Sequence, residues 1–189
     1  MQLHFVSREE YRLKTAPTFL QGLTEQFGKA YLIPEGGSNA LAVKGTAEIT
    51  SFIDIPYTHI CCAAGTGGTL AGIVASVQDQ PIEVIGFPAL KNGGFLKDDI
   101  VQLLQQYNGT SLPESFTLQT DYHFGGYAKT TPELIAFIQA FETDFGIPLE
   151  QVYTGKMIFG ILELIAQGYF KKGSTIVAVH TGGLQGRSF

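Results

Sequence analysis

The run HICCAAGTGGTLAGIVASV, residues 59–77, constrains this chain more than any other stretch. Its first six residues, His59, Ile60, Cys61, Cys62, Ala63 and Ala64, form a short, largely apolar run that fits a buried strand. Gly65, Thr66, Gly67, Gly68 and Thr69 break the pattern, and small apolar residues with helical spacing follow over 70–77. A strand that turns through glycines into a helix leaves the first backbone N–H groups of the helix without an internal partner. The helix dipole adds partial positive charge at the same place. Glycines let the backbone come close to an anion, so strand, glycine loop and helix together suit a phosphate. Thr66 and Thr69 add hydroxyl donors. No Lys-Ser/Thr pair follows the last glycine, so this is not a triphosphate-binding loop. Leu70 stands where the dinucleotide fingerprint needs its third glycine. A small monophosphate fits better, and an ordinary tight strand-to-helix turn is the plainer alternative.

The rest of the chain alternates strands and helices. Residues 3–6 (LHFV) read as a short strand, and Ser7 with Glu10 is a capping-box pair. Residues 17–27 read as a helix ended by Gly28, and 30–33 (AYLI) as a strand stopped by Pro34. A second glycine loop, 35–39, carries Ser38, which can cap a helix over about 40–52. Past the central unit come a strand at 82–87, an amphipathic helix at 95–107 with Leu96, Ile100, Leu103 and Leu104 on one face, and a weak strand at 116–118. Residues 122–129 (YHFGGYAK) form an aromatic glycine loop. Thr131 and Pro132 open a helix that ends at Gly146. Residues 152–156 lead into a helix ending near Gly168. A β-branched strand at 175–179 opens into the loop 180–186. This alternation predicts an α/β fold with a mainly parallel sheet. Ligands of such sheets bind beyond the carboxyl ends of the strands. The loops after Ile33, Ala64 and Val179 are therefore expected to meet in one crevice, with the loops carrying Tyr127 and Tyr153.

Composition narrows the partners. The chain has 189 residues, enough for one large domain or two small ones, with a net charge of −5 that argues against nucleic acid as the main partner. It holds no apolar run of about 18 residues, so no membrane span is expected. Its N-terminus lacks a basic stretch followed by an apolar one, so no signal peptide is expected either. Cys61 and Cys62 are neighbours on one strand and point to opposite faces, so a bridge between them is not expected. That favours a reducing, cytoplasmic setting. His123 and His180 sit beside glycines with no ligand partner at metal spacing, so no metal site is expected, and His180 reads as a packed side chain at a strand end.

Taken together, IPEGGSNALAVKG, AAGTGGTLAGI, YHFGGYAKTTPE, VYTGKM and VAVHTGG resemble the C-terminal part of the pyridoxal-phosphate enzymes of fold type II. The branch most similar is that of 1-aminocyclopropane-1-carboxylate deaminase and D-cysteine desulfhydrase. The resemblance spans nearly the whole chain and implies an open, mainly parallel twisted sheet with helices on both faces, like the tryptophan synthase β subunit. In that frame nearly all of 1–189 belongs to the large cofactor domain, with 1–15 a remnant of a smaller N-terminal domain. Thr66, Gly67, Gly68 and Thr69 match the loop that holds the phosphate of pyridoxal 5′-phosphate. Thr181 matches the residue on the pyridine nitrogen, where a neutral hydroxyl makes the cofactor a weaker electron sink than a carboxylate would. Tyr127 and Tyr153 match two tyrosines facing the substrate; a phenol near its natural pKa serves there as acid, base or clamp.

The resemblance also shows two departures. In the deaminases an acidic residue follows the tyrosine matching Tyr153, whereas this chain has Thr154, which favours the desulfhydrase side. The family's Schiff-base lysine and the Ser-Asn loop next to it precede the strand matching 3–6 and have no counterpart here. The chain is thus expected to lack the family's N-terminal third. Of the remaining lysines, Lys156 is nearest by motif, with Lys44, Lys91 and Lys129 also near glycine loops; the family pattern gives Lys156 a supporting place. The expected function is a pyridoxal-phosphate-dependent deaminase or lyase of a small amino acid, working as a homodimer. The alternatives are a non-catalytic phosphate-ligand-binding domain and an incomplete product without a function of its own. A nucleotide-binding dehydrogenase fits poorly without the third glycine and an acidic residue about twenty positions on.

Overall fold

The computed structural model describes residues 2–109 and 116–189. The chain divides into two compact units, Met1–Pro34 and Glu35–Phe189. The first holds two helices, α1 (Arg8–Arg12) and α2 (Pro17–Phe27). The predicted capping box opens α1: the Ser7 N–H donates to Glu10 at 2.7 Å and the Glu10 N–H to the Ser7 hydroxyl at 3.1 Å. Pro17 begins α2, and Gly28 ends it with a positive φ of 74°. The two strands expected in this unit are absent: neither 3–6 nor 30–33 joins a sheet among the described residues. Both segments have strand-like composition, but a strand exists only where a neighbour supplies the ladder of hydrogen bonds.

The second unit is built on a four-stranded sheet, β1 (His59–Ala64), β2 (Glu83–Pro88), β3 (Phe116–Leu118) and β4 (Ile176–Val179). Its order is β3-β2-β1-β4 and every pair is parallel, with His59 level with Glu83 on one side and with Ile176 on the other. The helices are α3 (Ala40–Ala47), α4 (Gly68–Val77), α5 (Leu96–Asn108), α6 (Pro132–Phe145) and α7 (Thr154–Ala166).

Alternation along β1 explains the layering, because successive side chains leave a strand on opposite faces. Ile60, Cys62 and Ala64 pack with Val43 of α3, Leu70, Ile73 and Val74 of α4, and Ile100 of α5. Cys61 joins Ile85, Phe87 and, from α7, Met157, Ile161 and Leu164 on the other face. Outside α7, Leu134 and Ile138 of α6 pack with Leu149 and the Phe137, Phe141 and Phe159 rings. Burial of one such aliphatic side chain contributes about 1.5–3 kcal/mol, so the two faces fix the register of β1. The sheet is thus open, parallel and covered on both sides, as the sequence implies. The four predicted apolar residues of α5 are its buried ones, and Thr131 caps α6 through the Leu134 N–H at 3.2 Å.

One predicted cap is corrected. Asn39, not Ser38, opens α3, accepting from the Ala42 N–H at 2.9 Å. The α-helix ends at Ala47, and a 3-10 segment, Glu48–Phe52, carries the chain on.

Candidate active site

The sheet order reverses between β1 and β4, since β2 and β3 lie on one side of β1 and β4 on the other. At such a switch point the loops after adjacent strands diverge and leave a crevice. The loop after β1 and the loop after β4 open into one cavity of about 220 Å³. Thr66, Gly67, Gly68, Thr69, Tyr153 and Thr181 all line it. Six of the seven residues singled out from the sequence are therefore brought together. Tyr127 is outside the lining and 56% exposed; it reaches the site through Tyr153, their ring centroids 6.0 Å apart and nearly edge-on.

The glycine loop is shaped by close packing. Gly67 has a φ of 84°, a left-handed conformation that suits glycine, and no side chain caps α4 behind it. A Cβ on Gly67 would lie 2.6 Å from Ile100 of α5, and one on Gly68 would lie 2.7 Å from the Ser38 hydroxyl. The N-terminus of α4 is consequently bare backbone facing the cavity, with the Thr66 and Thr69 side chains beside it. This donor set fits a phosphate.

The second glycine loop also belongs to the site, although no strand precedes it as expected. Gly36, with a φ of 64°, lines the cavity, and a Cβ there would run into the Thr66 side chain. Ser38 is free of capping because its hydroxyl lies 2.6 Å from that of Thr66. Sequence reading gave Ser38 a local task; its true partner is 28 positions away.

Tyr153 rests on the glycine loop before α4. A Cβ on Gly65 would be 3.2 Å from its ring and from its hydroxyl. Burial raises the Tyr153 pKa well above the ordinary phenol range, and the hydrogen bond with Tyr127 and the negative charges of Glu150 and Glu35 push the same way. These surroundings all favour the protonated phenol of Tyr153 over its phenolate.

Glu150, which sequence reading passed over, organises the turn before α7. It is 2% exposed, and its carboxylate accepts from the N–H groups of Val152, Tyr153 and Thr154 at 2.5, 2.7 and 2.5 Å. In return its own N–H donates to the Thr154 hydroxyl at 3.0 Å. Glutamate is not a usual cap, but its spacing of four from Thr154 lets the longer side chain curl over the first turn. Its Cγ also packs on Gly183, where a Cβ would sit 3.2 Å away. His180 is exposed, not packed, yet tied at both ring nitrogens: one is 2.9 Å from the Pro148 carbonyl and the other accepts from Gly182 at 3.1 Å. Glu150 and His180 together join the Tyr153 turn to the Thr181 loop.

Lys156 is buried, with its ammonium donating to the Gly126 carbonyl at 2.8 Å. Among the described residues, none of Lys44, Lys91, Lys129 or Lys156 lines the cavity. Cys61 and Cys62 are buried free thiols pushed up to about 12, chiefly by burial. The described residues contain no group of three or more His, Cys, Asp and Glu placed to hold a metal ion, and no helix long and apolar enough to cross a membrane.

Comparison with known proteins identifies the family. The chain is 32% identical over 167 residues to a D-cysteine desulfhydrase of Klebsiella pneumoniae, covering 82% of this chain and 51% of that one. It is 28% identical over 200 residues to the mitochondrial bifunctional D-cysteine desulfhydrase/1-aminocyclopropane-1-carboxylate deaminase of Arabidopsis thaliana, covering 97% and 50%. The solved structure of an ACC deaminase homologue superimposes with a TM-score of 0.81 at 29% identity, over 98% of this chain and 59% of that one. The chain thus spans about half the length of the curated relatives it matches. The family described as "Pyridoxal-phosphate dependent enzyme" matches residues 2–182, and the chain belongs to that family.

Proposed function

We propose that the protein serves a pyridoxal-phosphate-dependent deamination or desulfhydration of a small amino acid, D-cysteine or 1-aminocyclopropane-1-carboxylate. The observation that carries this reading is the single cavity shared by the bare α4 N-terminus, Thr181 and Tyr153. In this reading Thr66, Gly67, Gly68 and Thr69 hold the cofactor phosphate, and Thr181 meets the pyridine nitrogen. The cofactor, when bound, would supply an electron-withdrawing ring that weakens the bonds at the Cα of an attached amino acid, the Cα–H bond in D-cysteine.

The chain's own residues do the rest. The α4 dipole and the Thr66 and Thr69 hydroxyls fix the phosphate end. Tyr153, with Tyr127 against it, clamps the substrate beside the cofactor. From D-cysteine, loss of the Cα proton and cleavage of the Cβ–S bond release sulfide; water then displaces ammonia and leaves the 2-oxo acid. From the cyclopropane amino acid, a ring C–C bond breaks, the opened chain takes up a proton, and water displaces ammonia to leave the 2-oxo acid. Thr154 favours D-cysteine: it is fully buried and bonded to Glu150, so that position sends no carboxylate toward the ring nitrogen.

A second reading is a phosphate-ligand-binding domain with no covalent step, favoured by a cavity lining without lysine among the described residues. We read the assembly as a homodimer on the family resemblance, and the location as cytoplasmic on the free thiols of Cys61 and Cys62; sedimentation of the purified chain and fractionation of its host test the two. Titration with pyridoxal phosphate, followed in the visible spectrum and competed with inorganic phosphate, tests the site. Saturable binding displaced by phosphate and weakened in Thr69→Ala supports the reading. Binding indifferent to phosphate overturns it. Borohydride trapping and peptide mapping then separate a covalent site from the second reading.

A further inference from the structure

The buried lysine of α7 has no part in the site as described so far. Lys156 is 2% exposed, and burial lowers its pKa to about 8 against the opposing pull of the Glu150 carboxylate. An ammonium taken out of water at such a cost calls for a specific partner. Its partner is the Gly126 carbonyl, 2.8 Å away, and Gly126 immediately precedes Tyr127.

The loop around Gly126 does not hold itself in place cheaply. Phe124, Gly125, Gly126 and Ala128 all have positive φ, at 51°, 93°, 119° and 53°. The non-glycine residues pay for that conformation, which persists only where surrounding contacts impose it. Two contacts from α7 do so. The Phe124 ring packs edge-on against Phe159 at 4.9 Å, and Lys156 grips Gly126, whose carbonyl also accepts from the Lys129 N–H at 3.1 Å. Tyr127 itself is 56% exposed, so burial does not fix it, and its hydrogen bond with Tyr153 forms only where the loop brings the two rings together. Tyr153 lies one turn before Lys156 at the start of the same helix.

We infer that Lys156 is a positioning residue: by holding the Gly126 carbonyl to the first turn of α7, it sets the Tyr127 ring against Tyr153 at the mouth of the cavity. The inference rests on the reading that these two tyrosines face the substrate, but the contact it concerns exists in the chain without cofactor. Lysine suits the task because its long stem passes through apolar packing and delivers one donor at the end.

The test is Lys156→Met in the full 189-residue chain, a change that keeps volume and removes only the donor and its charge. Nuclear Overhauser contacts between the Tyr127 and Tyr153 rings are read with protonated tyrosines in a deuterated background, together with the melting temperature. Loss of the inter-ring contact with the melting temperature kept or raised is the expected result. An inter-ring contact that survives in Lys156→Met overturns the inference. Loss of the contact together with collapse of the melting transition also overturns it, because Lys156 is then a core residue alone. Lys156→Arg, which keeps a donor on a long stem, is expected to retain the contact. These readouts need no cofactor, so they stand apart from the pyridoxal phosphate titration that tests the functional reading.

Discussion

The hydroxyl of Ser38 lies 2.6 Å from the hydroxyl of Thr66 and joins the glycine loop before α3 to the one before α4. The pair orients one of the two threonines expected to meet a phosphate. Ser38→Ala removes that partner without touching the cavity lining. One lost hydrogen bond of about 1 kcal/mol corresponds to about fivefold in affinity. Titration with pyridoxal phosphate is expected to show a loss of that order, with the melting temperature nearly unchanged.

Gly67→Ala acts on the same loop from below. The new Cβ would meet Ile100 at 2.6 Å, at a residue whose φ of 84° already disfavours any side chain. A cost of about 1–3 kcal/mol is expected from the strained backbone and the overpacking. Urea unfolding should show it as a lower midpoint at unchanged slope.

Glu150→Ala strips the acceptor from three backbone N–H groups at the start of α7 and removes the methylenes packed on Gly183. Buried donors left without partners cost about 1–3 kcal/mol each at most, so a loss of several kcal/mol is expected in the same unfolding experiment. Glu150→Gln keeps one oxygen and should fall between the two.

Lys156 makes stability depend on alkaline pH. Its folded pKa, about 8, lies below the ordinary lysine value of 10.5 because burial disfavours the ammonium, while Glu150 favours it. Below pH 8 both folded and unfolded chains carry the proton, and the burial cost is fully present. As pH rises from about 8 toward 10.5, the folded chain gives up the proton first. The unfolded state then binds more protons and stability rises. The lysine-specific rise is the change with pH, across that window, in the unfolding free energy of the chain (urea midpoint times slope) less that of Lys156→Met; it is expected to be positive and on the order of a few kcal/mol.

The sequence made local structure legible where the residues that build it are contiguous. Thr66, Gly67, Gly68 and Thr69 read as an anion loop because strand, glycines and helix are contiguous, and Thr131-Pro132 read as a helix start for the same reason. It failed where a residue's partner is remote. Ser38 has the composition of a helix cap, but Asn39 takes that place and Ser38 reaches Thr66. Residues 3–6 and 30–33 have strand composition without a laddered neighbour among the described residues. Glu150 and Lys156 look like ordinary charged residues in the sequence. Only burial, at 2% exposure each, reveals that one organises a turn and the other grips a loop.

The parallel pairing of β1 with β4 sets an order of assembly. β1, α4 and β2 follow one another closely in the chain, so the glycine loop between β1 and α4 is framed by contacts of small entropic cost. β4 must return across a far longer span: the Thr58 hydroxyl that bonds the Thr175 carbonyl at its entry crosses 117 positions. Closing so long a loop is rewarded only after the helices between have packed. On this ordering the half of the crevice built from the glycine loop before α4 is expected to form before the half that carries Thr181, which refolding followed by pulsed hydrogen exchange at β1 and β4 would show.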